Sequence, residues 1–283
     1  MLDLTNRTTP YLIGEIGINH NGEINIAKRL LDACFATGWD CAKFQKRSPD
    51  DAVPKGEREK RRDTPWGEMS YIEYKHKIEF GKTEYDLINE YCATKPLDWT
   101  MSVWDQPSLE FASRYNLPFL KLPSAKLTDD ELLIDSCRTG QLIVVSTGMS
   151  TVEEIDHAVE ILEKHAVSFV LLHSTSTYPT KNHEINLNSI PYLQERYGCM
   201  VGYSGHEYGL TPTVVAGAMG AAIIERHITL DHTMWGTDQS ASIEITGMDV
   251  IRKRFNADMN IFGEKTKFLF ESEKAARKKL RAR

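Results

Sequence analysis

Eight short apolar runs recur along the chain, and segments of helical character separate them. They are 11–18 (YLIGEIGI), 41–45 (CAKFQ), 97–103 (LDWTMSV), 119–124 (FLKLPS), 142–147 (LIVVST), 168–175 (SFVLLHST), 200–205 (MVGYSG) and 223–229 (IIERHIT). Most are apolar at consecutive positions, which is the pattern of parallel strands covered on both faces. The clearest helix between them is 151–164 (TVEEIDHAVEILEK). Ser150 or Thr151 can cap it, two glutamates suit its first turn, and Ile155, Val159, Ile161 and Leu162 form an apolar stripe. A second helix, 24–37, stops before Gly38, and others are expected near 84–94, 107–115, 129–138, 187–196 and 211–220. Eight strand–helix repeats predict an α/β fold, the (β/α)8 TIM barrel. An open doubly wound sheet is the rival architecture. It usually carries a Gly-rich dinucleotide turn after the first strand, and EIGINHNG lacks the GxGxxG spacing.

A chain of 283 residues suits one such domain over 1–283. Two segments stand outside the repeat. Residues 46–83 are far longer than an ordinary connection, charged at first (PKGEREKRRD) and then aromatic (TPWGEMSYIEYKHKIEF). Loops of that length inside a domain are usually functional or disordered. We expect a lid or dimer contact with a short helix near 70–76, against the plainer reading of a surface insertion. Residues 247–283 read as one or two C-terminal helices with a basic end.

Thirty-four Lys and Arg against forty Asp and Glu give a formal charge of −6. That balance offers no general attraction for nucleic acid or an acidic membrane, so an anionic ligand needs a local positive cluster. The five cysteines are odd in number and form no CxxC pair, which fits buried free thiols in a reducing compartment. The start MLDLTNRTTP does not read as a signal peptide, and no apolar run approaches the roughly 20 residues of a membrane span. A soluble cytoplasmic protein is expected.

In such a barrel, residues at the C-terminal strand ends converge on one pocket. The strand ends here offer Glu15, Lys43, Gln45, Ser102, Asp105, Lys121, Ser124, Ser146, Thr147, His173, Ser176, Tyr178, Ser204, His206, Glu225 and His227, with Asp238 in the last loop. Lys43 and Lys121 lie inside apolar strands, where an unpaired ammonium is expensive. Pairing of Lys43 with Glu15 is one solution. Capture of a phosphate or carboxylate is the other, and it is favoured because Ser102, Ser124, Ser146 and Ser204 surround the same place as an anion cage. His206 and His227 end consecutive strands whose axes lie roughly 4.8 Å apart, so their imidazoles can share one metal ion. Imidazole suits Mn, Fe, Co or Zn, and two protein ligands leave positions for water and substrate. His173 or Glu15 is a candidate further ligand. The other histidines have no comparable placement, and no cysteine sits in a catalytic motif.

The segments EIGINHNG (15–22), AKFQ (42–45), FLKLPSAKL (119–127), STGMS (146–150), HSTSTYP (173–179), GYSGHEYGL (202–210), ERHITLD and MWGTDQ (225–239) resemble, in order, those of the sialic acid synthases. The resemblance spans about 11 to 245. It implies a (β/α)8 barrel that condenses phosphoenolpyruvate with an aldehyde sugar, most often N-acetylmannosamine, to a nine-carbon 2-keto sugar acid and phosphate. It also implies a divalent metal, most often Mn2+ with Mg2+ or Co2+ as substitutes, and a homodimer. By similarity, His206 and His227 match metal ligands. Lys43, Ser102, Lys121, Ser124, Ser146 and Ser204 match phosphoenolpyruvate contacts, Tyr178 and Asp238 match sugar contacts, and Glu15 matches a catalytic carboxylate. Gln45 and Ser176 complete the expected substrate-binding set.

Three departures from the family pattern stand out. Lys126 replaces a common glutamate, Ser176 stands where some members have asparagine, and no C-terminal antifreeze-like domain is expected within 1–283. In many members that domain supplies an arginine to the partner's sugar site, and we expect Arg58, Arg61 and Arg62 of the long loop to replace it. A diamino-dideoxy hexose, plain mannose or a phosphorylated hexosamine are alternative sugars. A metal-dependent hydrolase on the same fold would need no lysine cage, and a binding protein without catalysis would not need the Glu15, His206 and His227 set.

Overall fold

The computed structural model describes residues 2–258, 261, 263–264 and 266–281. Eight strands pair in parallel: β1 (Tyr11–Gly17), β2 (Cys41–Lys46), β3 (Asp98–Val103), β4 (Leu120–Leu122), β5 (Ile143–Ser146), β6 (Phe169–Ser174), β7 (Met200–Gly205) and β8 (Ile223–His227). They close on themselves in the order β1-β8-β7-β6-β5-β4-β3-β2, so the barrel expected from the repeat is the fold and the open sheet is excluded. Eight helices follow the strands: α1 (Ile24–Ala36), α2 (Lys82–Ala93), α3 (Gln106–Ala112), α4 (Asp130–Arg138), α5 (Val152–Lys164), α6 (Ser189–Tyr197), α7 (Thr211–Ala218) and α8 (Ile245–Asp258). Thr151 caps α5, accepting from the Glu154 N–H while Glu154 accepts from the Thr151 N–H. α1 ends at Thr37, and Gly38 follows with φ +69°, the left-handed turn that glycine adopts without penalty.

Side chains alternate across each strand, and the alternation builds two interiors. Leu12, Ile16, Phe44, Leu122, Val145, Leu171, Val201 and Ile224 face outward into the layer shared with the helices. Tyr11, Ile13, Cys41, Phe119, Val144, Val170, Leu172 and Ile223 fill the barrel itself. Two residues further along, the same inward parity delivers Glu15, Lys43, Lys121, Ser146, Ser174 and Glu225. The barrel is therefore apolar at its N-terminal end and ionic at its C-terminal end. Parity also sets aside two expected residues. His173 falls between inward Leu172 and Ser174; it bonds the Ile185 carbonyl (2.7 Å) and lies outside the central cavity. Asp105 caps α3, accepting from Ser108 N–H (2.8 Å), and ties down Ser48 N–H (2.6 Å).

One ion pair is buried in the outer layer. Arg226 Nη1 meets Glu207 Oε1 at 2.9 Å with both side chains fully enclosed. Tyr203 Oη (2.7 Å) donates to the same carboxylate, and the Glu207 and Gly209 carbonyls accept from Arg226.

Residues 46–83 are folded. Helical turns at Pro49–Ala52 and Lys55–Glu57 lead to a hairpin, Arg61–Thr64 paired antiparallel with Gly67–Ser70, and then a helix, Tyr71–Ile78. Ser70 starts that helix with a capping box to Glu73. Tyr74 and Ile78 pack with Ile18 from the loop after β1 and Trp235 from the loop after β8. A last helix, Glu271–Leu280, lies beyond α8, and the remaining residues of the expected C-terminal helical region (259–260, 262, 265, 282–283) fall outside the described residues. Among the described residues no helix is long and apolar enough to cross a membrane.

Truncating Arg226 strands the Glu207 carboxylate in the outer core. Arg226→Met is expected to lose about 3–5 kcal/mol of stability in urea unfolding; a loss within experimental error would show that the pair is structurally idle.

Candidate active site

The ionic end of the barrel opens into a cavity of about 210 Å³. Glu15, Lys43, Gln45, Ser102, Lys121, Ser124, Ser146, Ser176, Tyr178, Ser204, His206 and His227 all line it, as the strand-end reading expected. Glu225 lines it as well. A larger depression of about 690 Å³ lies at the opposite end, but its charges are spent on one another: Asp40 takes Arg7 (2.8 Å) and Arg252 (2.6 Å).

Register explains the convergence. Glu15 of β1 lies between Lys43 of β2 and His227 of β8, Ser102 pairs with Lys121, and Ser204 pairs with Glu225. Lys43 Nζ is 2.6 Å from Glu15 Oε2 and 3.6 Å from Glu225 Oε2, so the lysine expected chiefly as an anion ligand is first of all paired with Glu15. Burial works against its charge, but the two carboxylates outweigh that and raise its pKa. Gln45 Nε2 donates to the other Glu15 oxygen (3.0 Å). Glu225 would be pushed up by burial alone; Lys43 and Lys121 instead hold it below the usual carboxylate range, and Ser204 donates to it (3.0 Å). Among the described residues Lys121 has no carboxylate partner at hydrogen-bond distance. Its ammonium donates to Ser146 Oγ (2.6 Å) and the Leu122 carbonyl (3.1 Å). Burial, helped by Lys43, brings its pKa down to about 8.

Beside Lys121 the backbone makes a cradle. Gly148 N–H donates to Ser124 Oγ (3.0 Å) and Ser174 Oγ (3.0 Å). A Cβ at this position would sit 2.8 Å from Ser124 Oγ and closer still to Ser176 Oγ. Three hydroxyls and an N–H thus converge on a space that only glycine leaves free. Ser102 is oriented by Trp104, whose indole N–H donates to it at 3.1 Å.

On the far wall the His206 and His227 ring centroids are 5.5 Å apart. His206 Nδ1–H donates to the Thr175 carbonyl (2.9 Å), which leaves the Nε2 lone pair facing the cavity, met by the Tyr178 hydroxyl at 3.0 Å. A backbone carbonyl on the second nitrogen is the usual arrangement behind a metal-binding imidazole. Burial, followed by the nearby His227, lowers the His206 pKa to about 3, so this ring is neutral. His227 Nδ1 is buried without a hydrogen-bond partner, 3.8 Å from Asp238 Oδ2. Glu225 Oε2 is also buried without one. Among the described residues no group of three or more His, Cys, Asp or Glu is arranged to hold a metal, and the further ligand expected from His173 is ruled out by its orientation. The two neighbouring imidazoles of His206 and His227 fit a divalent ion whose other positions go to water or substrate.

Against these geometries, the NeuB family model matches residues 30–267. The chain belongs to the NeuB family. N-acetylneuraminate-9-phosphate synthase of Homo sapiens is 33% identical over 95% of this chain and 76% of its own length. The N,N'-diacetyllegionaminic acid synthase of Campylobacter jejuni is 28% identical over 93% and 80%. The crystal structure of the N-acetylneuraminic acid (sialic acid) synthetase of Leptospira borgpetersenii, 28% identical, superposes with a TM-score of 0.87 over 100% of this chain and 98% of that one. The chain is a NeuB-family enzyme that condenses phosphoenolpyruvate with an aldehyde sugar to form a nonulosonate. Membership brings the divalent-metal dependence typical of the family.

Several features were not singled out from sequence. Gly148, Ser174 and Trp104 shape the anion side, and Arg47 stands at the rim, donating to Gln45 Oε1 and stacking 3.7 Å from the Trp104 ring centre. The expected loop arginines divide. Arg58 donates to the Asp50 and Val53 carbonyls and Arg61 pairs with Glu68, so neither is available, whereas Arg62 lies over Tyr71. Lys126 is taken by Asp129 (2.9 Å). All five cysteines are free thiols, and burial raises the pKa of each.

The Lys121 ammonium is present below its pKa of about 8 and lost above it. Phosphoenolpyruvate affinity is therefore expected to fall as pH rises past about 8, by up to about tenfold per unit. Calorimetric titration on either side of that point checks this, and a flat profile would assign anion capture elsewhere. Gly148→Ala is expected to weaken the same binding by at least about tenfold by displacing Ser124 and Ser176, as loss of one or two charge-assisted bonds would.

Proposed function

We propose that this enzyme joins phosphoenolpyruvate to the open-chain aldehyde of an N-acetylated hexosamine of the N-acetylmannosamine type, giving an N-acetylneuraminate-type 2-keto acid and inorganic phosphate. The observation that carries the reading is the inward layer itself: two lysines, two carboxylates and a seryl cradle beside a pair of imidazoles. Similarity to the human enzyme supports the N-acetylneuraminate branch.

In this reading Lys43, Lys121, Ser102, Ser124, Ser146 and Ser204 take the phosphate and carboxylate of phosphoenolpyruvate, with Ser176 beside them. The reactants are then held at near-attack distance, which removes much of the entropic barrier. The C2–C3 π pair of phosphoenolpyruvate forms the new bond to the aldehyde carbon, and the aldehyde oxygen becomes a hydroxyl. Positive charge develops at C2. Water adds there; Glu15, paired with Lys43 and aimed by Gln45, accepts the water's proton, which balances the one taken up by the aldehyde oxygen. The tetrahedral C2 centre collapses to a ketone, its C–O bond to phosphorus breaks, and phosphate leaves into the lysine and serine contacts. Tyr178 and Asp238 hold the sugar. His206 and His227 hold a divalent ion, Mn2+ ahead of Mg2+ or Co2+, which when bound supplies Lewis-acid stabilisation of negative charge on the aldehyde oxygen. A cytoplasmic homodimer is the proposed assembly; a mass of 32.2 kDa by light scattering would contradict the dimer.

Phosphate release from phosphoenolpyruvate is expected with an N-acetylated aldehyde hexosamine, lost after EDTA and restored by manganese. Glu15→Gln is expected to lower kcat by about 10²–10⁴-fold while phosphoenolpyruvate still binds. Full turnover by that variant would remove Glu15 from the chemistry, and no release with any sugar would overturn the reading.

A further inference from the structure

His206 and His227 each have a sequence neighbour that belongs to the outer layer. Glu207 follows His206 after β7, Arg226 precedes His227 in β8, and these two neighbours form the fully enclosed ion pair (2.9 Å). Strand register puts Arg226 opposite Gly205, one position before the two histidines. The guanidinium does more than pair. Arg226 Nη2 donates to the Glu207 carbonyl (2.7 Å), and Nη1 donates to the Gly209 carbonyl (3.0 Å) and to Thr213 Oγ1 (2.6 Å) at the start of α7. One side chain of β8 thus fastens the backbone that leaves His206. Gly205 leaves room for this, since a Cβ there would lie 2.6 Å from Glu207 Oε2 and 3.0 Å from Arg226 Cδ.

The two imidazoles are held unequally. His206 Nδ1–H donates to the Thr175 carbonyl (2.9 Å), and its own carbonyl accepts from Thr180 N–H (3.0 Å). His227 Nδ1 is buried without a hydrogen-bond partner, so the place of this ring follows from its backbone. Ile243 N–H holds the His227 carbonyl (2.7 Å) on one side, and Arg226 anchors the chain on the other. A buried ion pair can often be exchanged for apolar side chains of similar volume with little loss of stability. What apolar side chains cannot supply is direction: a planar fork of N–H bonds holds its acceptors at set distances and angles. Metal affinity depends on such outer contacts, typically by about 10–100-fold.

We propose that Arg226 and Glu207 are positioning residues that set the separation of His206 and His227, and so the fit of the two rings to a divalent ion. This role rests on the reading that the two imidazoles hold that ion. Neither Arg226 nor Glu207 lines the cavity; each acts through the histidine beside it.

The test replaces the pair as a unit. Glu207→Met/Arg226→Met leaves neither charge stranded, and its urea midpoint is expected near that of the wild type. Mn2+ binding is read from the free-ion EPR signal in metal-stripped protein without substrates, with His206→Ala as the baseline for ions held elsewhere. The double variant is expected to bind Mn2+ at least about tenfold more weakly than the wild type. A smaller loss in a folded double variant overturns the role, because a pair that served packing alone would leave Mn2+ binding unmoved. Phosphoenolpyruvate binding at Lys121 and Gly148, in β4 and after β5, is expected to stay at its wild-type level, and parallel loss of both ligands overturns the role in favour of a general loosening of the barrel. If the double variant fails to fold, Arg226→Lys decides. It keeps the charge, but one ammonium cannot reproduce the planar fork; weaker Mn2+ binding supports the role, and wild-type affinity overturns it. If the wild type binds no more Mn2+ than His206→Ala, the metal reading falls separately. The crystal structure of the folded variant then decides the brace: ring centres still 5.5 Å apart overturn it, and a changed separation supports it.

Discussion

Everything at the catalytic end of this barrel depends on Lys43 lying between Glu15 and Glu225. Each of these three charges would be prohibitive alone inside a closed sheet. Together with Lys121 they form a layer of two positive and two negative groups. That layer also locks the register. Slipping β2 by one residue would turn Lys43 into the apolar layer beneath the helices and bring Ala42 or Phe44 inward. The ionic layer thus specifies strand alignment as well as presenting chemistry, and the apolar plug of Tyr11, Ile13, Phe119 and Val144 beneath it keeps water from the far end.

The balance explains why the site needs help to take a highly charged substrate. Lys43 is largely committed to Glu15, which leaves Lys121 and the Gly148 cradle as the most available anion ligands. The imidazoles of His206 and His227 would offer ring nitrogens to an ion that adds positive charge. The outer layer follows the opposite logic. Arg226 and Glu207 pair with each other and with Tyr203, Thr213 and backbone carbonyls, and their contribution is to packing and position rather than to reaction.

Strands and helices were largely legible from apolar runs and caps, because in a parallel barrel every strand is buried on both faces. Boundaries moved where local chemistry overrode the run. β4 spans only Leu120–Leu122, since Pro123 has no N–H to donate to the sheet, and Ser124 opens a tight turn instead. The inward residues were legible by period, and strict use of that period would have rejected His173 and promoted Glu225 and Ser174. The Lys43–Glu15 pair was foreseen as one of two outcomes, the anion-capture reading being the favoured one, and the pair is present with both residues lining the cavity. Arg47 escaped notice because its partners Gln45, in β2, and Trp104, just after β3, are far apart in sequence, and the fates of Arg61 and Arg62 depend on a hairpin that no apolar period announces.

The plugged N-terminal end has a kinetic consequence. A cavity with an apolar plug beneath its lysines is reached from the C-terminal side of the barrel. A ligand on buried Lys121 is seated before whatever sits above it, and it departs only after the upper tenant has gone. Traffic through this barrel is a queue, with the deepest ligand first in and last out.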